Sequence, residues 1–310
     1  MKVGVVMPIG ENDYAGGTAT YRDLREVART AEGDGLDSIW VFDHLLFRFG
    51  GQPASGIHEA WSILAALAAE TQRVEVGTLV LALPFRSPAV LAKMAATVDE
   101  ISGGRLILGV GAGWHEPEFE AFGIPFDHRV SRFEEALTIL LGLLRDGRID
   151  FTGRYHAARD SELVPRGPRL GTMPILIAGK GPRMLGLVAR HADLWNTAWL
   201  GAAGQLEPRH APLREALTAA GRDPATLGVT VGANVVVSDL AAGEDRPSSA
   251  ISGDAADIAT GLREFAAAGV VHLVAALTPS TPEAVRVLAR AVALARGEQS
   301  GSATLPARRS

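Results

Sequence analysis

Apolar residues recur along this chain in two alternating registers. Short unbroken runs of β-branched and large apolar residues occupy 3–8, 38–42, 74–82, 106–110, 175–178, 194–198, 229–237 and 271–276. None alternates cleanly between apolar and polar, which is the pattern of strands covered on both faces of a parallel sheet. Between these runs the period lengthens to that of a helix. Leu24, Val27, Ala28 and Ala31 share a face over 22–32, and Leu64, Leu67 and Ala68 share one over 61–70. Phe133, Ala136, Leu137, Leu140, Leu141 and Leu144 mark a strongly periodic helix over 132–144. Further helices are predicted over 89–101, 183–191, 213–220, 255–267 and 283–296. Pro88 and Pro282 stand where a helix start tolerates proline, and Thr281 precedes Pro282 as an N-cap.

Strands that each lead into a helix, repeated eight times, predict an α/β chain folded as a (β/α)8 TIM barrel, a single domain over 1–296. A doubly wound open sheet is the next arrangement in line. Its dinucleotide-binding form is disfavoured, because no Gly-x-Gly-x-x-Gly opens the first helix. Three segments exceed what a minimal barrel needs and are read as insertions. The Gly- and Pro-rich loop 45–59 follows the second strand, which places it at the C-terminal rim as a lid. Residues 147–173 hold a short hairpin over 149–155 and then a Pro/Gly/Arg-rich connector. Residues 238–253 read as a mobile polar loop, and the tail 297–310 as disordered.

Composition narrows the class. At 310 residues and 47% hydrophobic content, a sizeable core is available, and 35 glycines suit many tight strand–helix turns. A formal charge of −5 argues against a nucleic-acid partner. The absence of cysteine excludes disulfides, thiolate catalysis and Cys-based metal sites. No apolar run approaches the length of a membrane span, and because Met1 leads straight into a strand, no signal peptide is expected. The expectation is a soluble, cytoplasmic protein with no membrane partner.

The second strand, Ser38-Ile-Trp-Val-Phe-Asp-His44, ends abruptly in an acid and an imidazole. Barrel sites gather at the C-terminal ends of strands, and a histidine serves as acid or base near neutrality. Asp43 would orient His44 or bind a polar cofactor group. The plainer reading is that His44 caps the next segment. The fourth strand runs into Gly109-Val-Gly-Ala-Gly-Trp114, where Gly109, Gly111 and Gly113 admit a flat ring or a phosphate and Trp114 offers a stacking surface. A tight turn with a packed Trp114 explains the same residues. His115, Glu116, Glu118 and Glu120 suggest a metal, but a helix dipole explains carboxylates there more simply, and no metal is expected.

After the fifth strand, Gly179-Lys-Gly-Pro-Arg-Met184 opens a helix whose free N–H groups, with Lys180 and Arg183, form a phosphate cradle; a solvated loop is the alternative. At the sixth, Asn196 and Thr197 are placed to hydrogen-bond a cofactor, and Trp195 to fill the core. His128 and Arg129, before the fourth helix, are placed to contact substrate; an N-capping Asp or Ser with a solvated Arg is the equal alternative.

Together these motifs resemble the luciferase-like superfamily of flavin- and deazaflavin-dependent oxidoreductases. The likeness covers about residues 1 to 296 and adds two further strings, Val76-Gly-Thr-Leu-Val80 and Lys93-Met-Ala-Ala-Thr-Val-Asp-Glu-Ile-Ser-Gly-Gly-Arg-Leu106. The resemblance implies a ring cofactor at the C-terminal mouth, coenzyme F-420 or, as the alternative, FMN. It implies that His44 lies against that ring and moves a proton, with Asp43 beside it. It implies a non-proline cis peptide near Leu79–Val80 supporting the ring, which Gly111, Ala112, Gly113 and Trp114 line. Lys180, Gly181, Arg183 and Met184 would hold the cofactor phosphate. Trp114 stands where sugar-phosphate dehydrogenases of the family carry a catalytic Glu, so that activity is not expected.

The activity implied is hydride transfer between F-420 and a small organic substrate. The alternatives are an FMN-dependent monooxygenase supplied by a separate reductase, and a catalytically silent cofactor-binding barrel. A homodimer is the expected assembly.

Overall fold

Eight parallel strands close on themselves in the computed structural model, which describes residues 1–14, 16–244 and 246–297. They are β1 (Lys2–Val6), β2 (Ser38–Val41), β3 (Glu75–Thr78), β4 (Leu106–Gly111), β5 (Ile175–Ala178), β6 (Leu194–Leu200), β7 (Gly228–Val237) and β8 (His272–Thr278). Each pairs in parallel with the next, and β8 returns to β1 through Lys2↔His272 and Val3↔Leu273. The result is the (β/α)8 barrel that the alternating registers predict. Only the tail's first residue, Gly297, is described; the remainder of the tail expected to be disordered lies outside the described residues.

The outer ring holds α1 (Tyr21–Gly33), α2 (Ala60–Glu70), α3 (Pro88–Ile101), α4 (Arg129–Leu141), α5 (Pro182–His191), α6 (Glu207–Ala219), α7 (Ala255–Ala267) and α8 (Pro282–Arg296). Local chemistry starts several of them. Thr20 and Asp23 form a capping box on α1, Asp254 and Asp257 another on α7, and Thr281 caps α8 ahead of Pro282. No helix among the described residues is long and apolar enough to cross a membrane.

Two apolar bodies hold the layers together. The larger lies between strands and helices. The smaller fills the barrel itself with Val6, Trp40, Leu79, Ile107, Leu176 and Val274. Trp40 is fully buried there. Its ring presses so closely on β3 that a Cβ on Gly77 would collide with it, so glycine is required at that position. Arg105, in the Ile-Ser-Gly-Gly-Arg-Leu string, is structural. Its guanidinium reaches the carbonyls of Ser102, Ala68, Thr71 and Val74, tying the end of α2 to the start of β3 and β4.

Several boundaries differ from the sequence expectation. The run 74–82 splits into β3 and a short strand, Leu81–Ala82, which pairs with Val110 and Gly111 of β4. The peptide between them, Leu79–Val80, is cis and non-proline, where the resemblance placed one. Another cis peptide, Ala198–Trp199, lies in β6. The hairpin is longer than 149–155, with Arg148–Thr152 antiparallel to Ala157–Glu162. Glu135 of α4 accepts the backbone N–H groups of Arg154, Tyr155 and His156 at the hairpin tip. In the loop 45–59, Leu46–Phe47 pairs with Ser55–Gly56. In 238–253, Ile251–Gly253 adds in parallel to β7. Strands of two or three residues, such as Leu46–Phe47, Ser55–Gly56 and Ile251–Gly253, are too short to show a period, so sequence pattern alone does not reveal these ribbons.

Candidate active site

A cavity of about 1300 Å³ opens at the C-terminal ends of the strands. It exceeds the roughly 300–1,000 Å³ of ordinary small-molecule sites, leaving room for a large ligand and a second molecule beside it. Asp43, His44, Leu79, Val80, Gly111, Ala112, Gly113, Trp114, Lys180, Gly181, Met184, Asn196 and Thr197 all line it. Arg183 does not. Its guanidinium turns to α4, with Nη2 2.5 Å from Glu134 Oε2 and Nη1 2.8 Å from Ser131 Oγ.

His44 is held by a residue that the sequence reading assigned to a helix dipole. Its Nδ1 lies 2.9 Å from Oε1 of Glu118, whose other oxygen accepts the Leu45 N–H at 2.8 Å. Glu118 is 1% exposed, on the short helix Glu116–Ala121. His115, Glu118 and Phe119 are all buried, and their i, i+3, i+4 spacing puts them on one face of that segment. That spacing is the available signal for an inward Glu118. His115 Nε2 accepts the Arg48 N–H at 2.9 Å, so the same face fastens the start of the 45–59 loop twice.

Asp43 does not orient His44. It is buried and takes Nη1 and Nη2 of Arg86 at 2.6 and 3.0 Å and the Ala82 N–H at 2.9 Å. Burial pushes its carboxyl above the usual aspartate range, against the pull of Arg86 and the Ala82 N–H. Arg86 is itself held charged: burial opposes its charge, but the Asp43 and Glu59 carboxylates more than offset this. Three charge-assisted donors converge on Asp43, so the geometry supports an ionised pair that locks the end of β2 to the segment after β3. Arg86 is a second residue that sequence reasoning missed.

Around His44 stands an aromatic wall. Its ring meets Phe47 at 4.4 Å between centroids and Trp114 edge-on at 5.4 Å, and Phe47 stacks on Phe49 at 5.7 Å. Across the mouth, Lys180 is exposed before α5, whose N-cap Gly181 offers no side-chain cap. The first N–H groups of that helix, at Arg183 and Met184, therefore have no intrahelical partner. Lys180 has no ion-pair partner among the described residues. Asn196 and Thr197 are buried and already engaged: Asn196 Nδ2 donates to Thr230 Oγ1 at 2.9 Å, and Thr197 Oγ1 accepts from Arg209 at 3.1 Å. Trp195 is core, its indole N–H on the Gly179 carbonyl. Arg129 lines the cavity and donates to the Gly113 carbonyl at 2.6 Å, whereas His128 is exposed at the N-cap of α4. Among the described residues there is no cluster of three or more His, Asp or Glu able to hold a metal.

A ring cofactor with an anionic side chain fits this donor set. The apolar pair Leu79–Val80 and the backbone of 111–113 offer a flat apolar support, and Lys180 with the start of α5 offers uncommitted positive charge.

Residues 1–268 match the family described as luciferase-like monooxygenase. The chain is 33% identical over 207 residues to the pyrimidine monooxygenase RutA of Cronobacter turicensis, covering 62% of this chain and 53% of that protein. It is 36% identical over 191 residues to an F-420-dependent glucose-6-phosphate dehydrogenase of Amycolatopsis mediterranei, covering 59% and 54%. The matches thus span a little over half the length of these curated relatives. Among solved structures, an F-420-dependent secondary alcohol dehydrogenase in complex with an F-420–acetone adduct superposes with TM-score 0.78 at 20% identity, over 95% of this chain and 99% of that one. A monooxygenase of Streptomyces bottropensis superposes with TM-score 0.73 at 20% identity, over 94% and 98%. These two show the shared fold. With the family match spanning most of its length, the chain belongs to the luciferase-like monooxygenase family.

Proposed function

We propose that the cavity binds a deazaflavin of the F-420 type and that the protein exchanges a hydride between it and a small organic substrate. The observation that carries this reading is the His44–Glu118 pair at the cavity wall, an imidazole with one nitrogen held by a buried carboxylate. The bound cofactor supplies the two-electron chemistry. The chain's own residues do the rest. Glu118 fixes the His44 ring through Nδ1, which leaves Nε2 to take the proton from a substrate hydroxyl in the oxidising direction, or to return it in the other. Leu79, Val80 and the backbone at Gly111, Ala112 and Gly113 support the ring. Lys180, Gly181 and Met184 receive the phosphate, with Asn196 and Thr197 at the inner wall. Asp43 holds the floor beneath His44 through Arg86 and acts on the chemistry only by position.

Monooxygenation with reduced FMN is the second reading, favoured by the sequence match to a pyrimidine monooxygenase. It requires a separate reductase as partner. A homodimer in the cytoplasm accompanies either reading on the family resemblance alone.

Fluorescence titration of the purified protein with F-420, FMN and FAD separates the two. The first reading expects F-420 to bind at least tenfold tighter than FMN. Tighter FMN binding, with oxygen consumption when reduced FMN is supplied, would replace it by the second.

A further inference from the structure

We infer that the substrate of this site is an uncharged aromatic molecule, received on the exposed indoles of Trp114 and Trp199. The inference rests on the reading of the cavity as the redox site. Of the five tryptophans in the chain, Trp40, Trp61 and Trp195 are buried. Trp114 and Trp199 are 58% and 42% exposed, and both line the cavity. Apolar rings left bare inside a concave site mark where a ligand is received, and another ring matches an indole face better than a saturated group does, because aromatic pairs gain free energy beyond the area they bury.

Both rings are held in place before any ligand arrives. Trp114 meets His44 edge-on at 5.4 Å and lies 6.3 Å from Phe47. A molecule stacked on Trp114 is thereby delivered beside the imidazole proposed to move the proton. Trp199 lies against β7, where Gly232 makes room for it. A Cβ there would come within 2.8 Å of the indole.

Charge argues against an anionic substrate. Of the basic side chains lining the cavity, Arg129 is spent on the Gly113 carbonyl and lies 4.1 Å over the Phe126 ring. Lys180 belongs to the cofactor's phosphate end. Glu118 is committed to His44. Asp13 and Glu244 also line the cavity and would repel an anion.

Calorimetric titration of the cofactor-loaded protein tests this with three probes of similar size: 2-naphthalenemethanol, 2-naphthoate and decahydro-2-naphthalenemethanol. The neutral aromatic alcohol is expected to bind at least tenfold tighter than either of the others. Trp114→Ala and Trp199→Ala should each weaken it by about 3- to 10-fold, the size of an aromatic pair. Trp114→Phe, which keeps a ring, should stay within threefold of wild type. Equal binding of the saturated or the anionic probe, no binding of the aromatic alcohol, or unchanged affinity in both alanine variants would overturn the inference. Cofactor affinity, read beforehand in the same samples, distinguishes this failure from a failure of the redox reading.

Discussion

His272 and His44 sit at opposite ends of the same barrel, and their surroundings differ in one decisive respect. His272 opens β8 at the closed end. Its Nε2 lies 2.7 Å from Ser38 Oγ, which also accepts the Trp40 indole N–H at 2.7 Å, and the Trp40 ring meets it edge-on at 5.4 Å. Burial pushes its pKa down to about 4. His44 follows β2 at the open end, where Glu118 takes one ring nitrogen and the cavity receives the side chain. One imidazole is enclosed among partners that neither water nor ligand replaces. The other is anchored on one side only. The comparison teaches that a histidine in a barrel strand becomes structural or reactive according to which end of the strand it occupies and how many of its edges the protein fills.

The comparison breaks most sharply by replacing each imidazole. His44→Ala is expected to lower kcat by about 10²–10⁴-fold, with only a modest fall in the thermal midpoint, since it leaves the buried Glu118 Oε1 without its partner but opens no cavity in the closed core. Steady-state kinetics beside a melting curve check this.

His272 is expected to act on stability through pH. An unfolded chain binds a proton at this imidazole near pH 6.5, and the folded chain only near 4. The unfolded state therefore holds more protons between those values, and stability is lost as pH falls from about 6.5 to about 4. The loss is about 3 kcal/mol. Urea unfolding at pH 7 and at pH 4.5, in wild type and His272→Asn, reads it. The substitution should flatten the slope.

Glu118→Gln sharpens the open end. It keeps a side chain of the same shape but removes the charge facing His44, so kcat should fall by about tenfold while KM and cofactor affinity stay within about twofold. A drop in cofactor affinity instead would make Glu118 a packing residue.

The smallest effects separate two basic residues of one loop. Lys180→Ala should weaken cofactor binding by about tenfold. Arg183→Ala should leave it within about twofold, since Arg183 pairs with Glu134 outside the cavity. Fluorescence titration of both variants decides which cation holds the phosphate.

Much of this architecture was legible in the chain. Strands buried on both faces leave unbroken apolar runs, and eight of them recur. The Asp43–His44 ending of β2 was legible for the same reason, since polarity after such a run marks a strand's exit from the core. Partnerships were not. His44 and Glu118 are 74 residues apart, and a Glu in the first turn of a helix has a generic explanation in the dipole. Arg86 reaches Asp43 from the turn after the short Leu83–Phe85 helix, a position that no periodicity marks. Arg183 was misplaced because sequence puts it at a helix start but does not show that Glu134 stands opposite. His272 carried no signal beyond its place in an apolar run. Its burial depends on Ser38 and Trp40, brought to it only by closure of the barrel.

The central claim is that the imidazole at the open end moves the proton. The most direct test is single-turnover hydride exchange in cofactor-loaded wild type and His44→Asn, followed by cofactor absorbance from pH 6 to 8, with an accepted substrate in excess. Asn keeps a polar side chain at the cavity wall but does not titrate in this range. The account predicts a rate lowered by about 10²–10⁴-fold at every pH, with cofactor affinity within about tenfold of wild type. A wild-type rate across that range would contradict it and assign the proton to another group.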